Sequence, residues 1–204
     1  MKKLFLSLFF LGVSFFFPVS LFASSSCATY SDVNANDWFC PALTFLQEKS
    51  ILDKKPTFSP SENLNRAEGL KIMVMASGER ELKTHSAFFD INEKAWFKSY
   101  FYTAYALKYI ESVNGKFDAS APLSKAEFLI LYMKFLNIEP ATRQCSIKEG
   151  MPVGEWMNLS VGQANMYLCK AQELKLASTF FEETINRAVS AQILFNVLQL
   201  TTTE

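Results

Sequence analysis

The chain is poor in the residues that most enzyme chemistry needs. Its 204 residues include one histidine, His85, seven glycines, and four cysteines with no C-x-x-C pair. A histidine-based zinc site is therefore not expected, and a serine or cysteine nucleophile would have only His85 for its base. There is no glycine-rich phosphate loop and no G-x-S-x-G. Basic runs are missing too. Twenty Lys and Arg balance 20 Asp and Glu, and without clustered cations nucleic acid is not an expected partner. These absences point to a non-catalytic protein with no cofactor and no metal. A glycan-cleaving enzyme using two carboxylates would rest only on Glu and Asp being available.

Phenylalanine is in excess, at 20 residues, and seven of them fall in the first 23 positions. Lys2 and Lys3, the apolar run Leu4 to Ala23 and the small residues Ala23 to Ser26 have the form of a secretory signal peptide over residues 1–23. An uncleaved anchor is the alternative, since about 20 apolar residues can span a bilayer. Pro18 and the Ala-Ser-Ser-Ser stretch favour cleavage, and lipoprotein processing at Cys27 is not expected because Ser24 stands three positions before it. Removing Lys2 and Lys3 leaves 18 basic and 20 acidic residues, a formal charge of −2.

The remainder repeats itself. Asp32 and Trp38 correspond to Asp90 and Trp96, each pair six apart, and Phe58 and Phe117 follow those tryptophans by 20 and 21 residues. Eight residues after each Phe comes a basic residue followed by Ala-Glu: Arg66-Ala67-Glu68 and Lys125-Ala126-Glu127. A weaker third copy has Trp156, Phe180 or Phe181, and Arg187-Ala188-Val189. The copies are expected at residues 27–84, 85–142 and 143–204.

Each copy reads helix, loop, helix, so the fold class expected is all-α. Ala42, Leu43, Phe45, Leu46 and Ile51 build one apolar face, and Phe101, Ala104, Tyr105 and Leu107 to Ile110 build its counterpart. Met166, Leu168, Cys169, Leu174 and Leu176 do so in copy three, where Gly162 weakens the start. The second helices begin at the basic motifs. Asn65 with Glu68 and Ser124 with Glu127 are capping boxes, each worth about 1 kcal/mol. Asn186 can cap the third helix, but Val189 cannot complete the box. Capping leaves one thing unexplained. A cation stands at the first helical position every time, where the helix dipole disfavours it.

These co-ordered motifs resemble the S-layer homology family. Copy one is closest, with Tyr30-Ser31-Asp32-Val33, Trp38, Phe58-Ser59-Pro60 and Asn65-Arg66-Ala67-Glu68. Copy two has Lys125 for the arginine and Ala119 for the proline, and copy three has Gly150 where the Asp would be. The resemblance implies a pseudo-threefold, three-pronged arrangement around a central helical bundle. It further implies grooves between prongs that bind a secondary cell-wall polysaccharide, often through a ketal-pyruvate carboxylate, and so attach the protein to the envelope. Carried over by position, the groove residues would be Arg66, Lys125 and Arg187 with Asp32 and Asp90, and Trp38 and Trp96 would support sugar rings. An arginine fork suits a carboxylate, whereas Lys125 would act as a point charge. The glycine-flanked loop usual in the family is replaced by Ser50 to Lys55 in copy one, with Gly115 its nearest survivor in copy two. At most two competent grooves are expected, the better one at Arg66.

Plainer roles compete at each position. The tryptophans can pack between prongs, the role given more weight, and Asp32 and Asp90 can cap a helix or fix a loop. Arg66 and Arg187 can form salt bridges in the bundle, and His85 suits a solvated connection. An envelope protein-interaction module that kept the fold and lost glycan binding is the main alternative function.

Four cysteines in an exported chain suggest two disulfides, and the repeat selects among three pairings. Cys27 and Cys145 each precede a tryptophan by 11 residues, and Cys40 and Cys169 follow the same tryptophans by two and 13. The expected pairs are Cys27–Cys40 and Cys145–Cys169. The first loop is worth about 3 kcal/mol in the chain-entropy model.

Overall fold

In the computed structural model, residues 27, 30–82, 90–111, 116–143, 145, 154–157, 159–176 and 184–201 are described. The leader, His85, Gly115, Gly150, Phe180 and Phe181 lie outside them. The fold is all-α, with six helices and no strand among the described residues. They are α1 (Cys40–Glu48), α2 (Arg66–Ser77), α3 (Lys98–Ala106), α4 (Lys125–Phe135), α5 (Val161–Glu173) and α6 (Arg187–Thr201), with a 3₁₀ turn at Glu155–Met157. None of the described helices is long and apolar enough to cross a membrane.

The first helices are shorter than the apolar patterns. Ile51 and Leu107 to Ile110 lie beyond the ends of α1 and α3, because the chain there turns into the left-handed region. Ser50, Lys108 and Lys175 have φ of 58°, 58° and 55°. The next N–H returns five residues, from Ile51 to Leu46, Tyr109 to Ala104 and Leu176 to Ala171. This is the Schellman ending without its usual glycine, and α4 ends the same way at Asn137, with φ of 53° and Ile138 N–H donating to Met133 O. The helix starts follow the caps. Asn65 with Glu68 and Ser124 with Glu127 form complete boxes, and Asn186 accepts from Val189 N–H alone. A further box, Ser160 with Gln163, starts α5 despite Gly162.

The helices pair in a circle: α1 packs on α6, α3 on α2, and α5 on α4, while α2 also packs on α4. The residues just before the three capped helices bond to one another in a ring. Leu64 N–H donates to Ile185 O, Ile185 N–H to Leu123 O, and Leu123 N–H to Leu64 O, each at 2.9 Å. All three side chains are buried. α4 is sheathed on nearly every side, as an all-round apolar sequence requires. Its Tyr132 donates to Leu194 O of α6, and burial raises the pKa of that phenol. The disulfides Cys27–Cys40 and Cys145–Cys169 are present, each with a Cα–Cα separation of 5.7 Å. They tie the incoming segments to α1 and α5.

Candidate functional site

Two of the three cations at first helical positions, Arg66 and Arg187, have an internal target. Arg66 Nη1 donates to Phe117 O at 2.9 Å, and Arg187 Nε donates to Phe58 O at 2.6 Å. The adjoining backbone repeats the relation. Arg66 and Ala67 N–H donate to Ala121 and Ala119 O, and Arg187 and Ala188 N–H to Glu62 and Pro60 O. Loop carbonyls thus satisfy the first N–H groups of α2 and α6, and the arginine binds the loop from the same place. This accounts for a cation at a helix start that the dipole alone disfavours.

The aspartates hold the same loops from the other side. Asp32 accepts from the N–H groups of Phe58 and Ser59 at 2.8 and 2.7 Å. Asp90 accepts from Phe117 and Asp118 at 2.8 and 2.7 Å. The second residue of each pair, Ser59 or Asp118, is left-handed, with φ of 57° and 52°, so the carboxylate stabilises a turn that L-residues disfavour. Burial would raise the Asp32 carboxyl, but these two hydrogen bonds and the Arg187 charge bring it below its ordinary value. Both aspartates therefore fix loops, the plainer of the two roles considered for them.

Two grooves follow from this construction. The first lies between Arg187, the Phe58 loop and the start of α2. It is an open cavity of about 330 Å³ bordered by Arg187, Glu68, Lys71, Asp53, Lys55 and Trp96, near the lower end of the range for small-molecule sites. Arg187 lies 5.2 Å over the Phe58 ring and pairs with Glu68 Oε1 at 3.5 Å. Lys71 is bonded to Asp53 at 2.5 Å, and that bond, against some burial, lowers the Asp53 carboxyl. A guanidinium has five N–H groups, so Arg187 keeps donors beyond those two contacts. Trp96 stands at the rim with 58% of its surface exposed.

The second groove lies between Arg66, the Phe117 loop and the start of α4, and a side chain fills it. Trp156 is 3% exposed. Its Nε1 donates to Glu127 Oε1 at 2.8 Å, Arg66 lies 4.9 Å over its ring, and its ring is 5.7 Å from that of Phe117. The groove expected to be the better one, at Arg66, is thus the occupied one, and the open cavity belongs to Arg187. Lys125 is buried, and the Phe180–Phe181 segment it would face lies outside the described residues. Trp38 is 60% exposed, so Trp156 is the tryptophan packed inside the fold, and Trp38 and Trp96 are not. Lys71 and Glu68 are groove residues that the sequence reading did not assign to the site. Glu68 was visible there only as a cap.

Among the described residues no group of His, Cys, Asp and Glu could hold a metal ion. No curated protein matches the chain. Residues 29–68, which carry Asp32, Trp38, Phe58 and Arg66, match the S-layer homology domain, a binding module that generally anchors proteins to cell-wall polysaccharide at the cell surface.

Proposed function

We propose that this protein is an exported, non-catalytic envelope protein built of three S-layer-homology-like copies, and that it binds an acidic cell-wall polysaccharide in the groove at Arg187. The open cavity at Arg187 and Trp96 carries the reading. A sugar carboxylate, such as that of a pyruvate ketal, would take the fork of Arg187 with the Lys71 and Lys55 ammonium groups nearby. Trp96 offers an aromatic face for the ring. The circular helix pairing and the hydrogen-bonded ring support the three-copy reading, since each copy's second helix packs on the next copy's first. With a formal charge of −2 on the mature chain, local cations and not the net field would hold an anion.

The test is co-sedimentation with purified cell walls before and after the secondary polymer is stripped. Binding should vanish with the polymer and fall at least tenfold in Arg187→Lys, which keeps a charge but loses the planar fork. Unchanged binding in that variant removes the groove from the reading. A second reading, an envelope protein-interaction module, draws on the exposed Trp38. Binding that survives stripping would favour it.

A further inference from the structure

The two grooves share their parts and differ in what occupies them. Arg187 and Arg66 each open a helix and donate to the carbonyl of a loop phenylalanine, Phe58 or Phe117. Glu68 and Glu127 hold the third position of the next helix in the circle. Trp96 and Trp156 stand at matching places in successive copies, the first exposed at the rim and the second buried. In the first groove Glu68 Oε1 meets Arg187. In the second, Glu127 Oε1 accepts from both Trp156 Nε1 and Gly154 N–H, at 2.8 and 2.9 Å.

We infer that Trp156 is a built-in occupant of a second carbohydrate site, so that the chain presents one glycan site and keeps a second latent. Its indole does in that groove what a bound sugar would do: it lies under the guanidinium, donates to the carboxylate and meets an aromatic ring edge-on. The local chain is fitted to this. A Cβ on Gly154 would strike both the indole and Glu127, and only copy three has glycine two residues before its tryptophan, where the others have Asn36 and Lys94. The turn is also held from outside, by Glu111 N–H donating to Trp156 O at 2.8 Å. A tethered occupant competes at high effective concentration, so free ligand does not displace it. Removing the indole should expose a site for the same class of ligand, a hexose carrying a carboxylate.

This inference rests on the glycan-binding reading, and the experiment separates the two. A methyl hexoside bearing a 4,6-linked pyruvate ketal is titrated calorimetrically into the wild type, Trp156→Ala, and Trp156→Ala with Arg66→Lys. One site is expected in the wild type and two in Trp156→Ala, with affinity at the new site weakened at least tenfold by Arg66→Lys. One site in both the wild type and Trp156→Ala overturns the inference and leaves the first groove standing. No site in the wild type and one in Trp156→Ala removes the first groove and keeps the inference. No binding to either protein removes both. Should Trp156→Ala fail to fold, Gly154→Ala, whose Cβ would push the indole out of the groove, is titrated instead, and the same counts decide.

Discussion

One groove holds a cavity and the other holds a tryptophan, although both are framed by a helix-opening arginine, an aspartate-held loop and a glutamate cap. The difference teaches that the frame and its vacancy are separate properties. The frame comes from residues that answer backbone needs. Asp32 and Asp90 receive the N–H groups of a left-handed turn, and Arg66 and Arg187 donate to its carbonyl. The vacancy differs with one side chain: Trp156 is buried in the second groove, close against Gly154, whereas Trp96 stands at the rim of the first.

The contrast is sharpest in stability. Trp156→Ala should cost about 3–5 kcal/mol in urea unfolding, as large aromatic truncations in cores do. Trp96→Ala should stay within about 0.5 kcal/mol, as exposed substitutions do. Equal losses would break the distinction between plug and rim. A smaller effect probes the frame. Asp32→Asn should lower stability by about 1 kcal/mol at neutral pH, because an amide NH2 group replaces one of the two carboxylate oxygens that accept from Phe58 and Ser59. The folded-state carboxyl of Asp32 is lowered, so its contribution is full above the unfolded value of about 3.9 and is lost as pH falls through the lower folded one. The gap between wild type and Asp32→Asn should therefore close in thermal melts on acidification below about pH 4. A gap that persists there would place the role of Asp32 elsewhere. The smallest effect is a gain. Ser50→Gly and Lys108→Gly should each stabilise by up to about 1 kcal/mol, since both residues are left-handed. Matching gains would sharpen the equivalence of the two helix ends, and a gain at one alone would weaken it.

The frame was largely legible in the sequence. The capping boxes, the cysteine pairs and the spacing from aspartate to phenylalanine each express a local or near-periodic requirement, and such requirements write themselves into residue type. The cation at the helix start was visible as an anomaly, but its target was not. Phe117 O lies 51 residues from Arg66 and Phe58 O lies 129 from Arg187, and a carbonyl leaves no mark on residue identity. The helix ends ran short of the apolar pattern for a related reason. Serine and lysine at left-handed positions give no warning of the kind glycine gives. The plug was hardest to read, because Trp156 keeps the spacing of its counterparts. Gly154 was the available signal, standing two residues before Trp156 where Asn36 and Lys94 precede Trp38 and Trp96.

The ring of backbone hydrogen bonds has a consequence for how the chain assembles. Two of its links, Leu64 with Leu123 and Leu123 with Ile185, join segments about 60 residues apart, whereas Leu64 with Ile185 spans about twice that. The pairing of α1 with α6 spans longer still, from Cys40–Glu48 to Arg187–Thr201. Contacts of such high sequence separation form slowly, because chain entropy is lost before packing compensates for it. On that ground the α1–α6 pairing is expected to close late in folding. The open groove is framed by Arg187 at the start of α6 and by Glu68 on α2, on the far side of that seam. Its geometry should consequently mature late, once α1 and α6 have met.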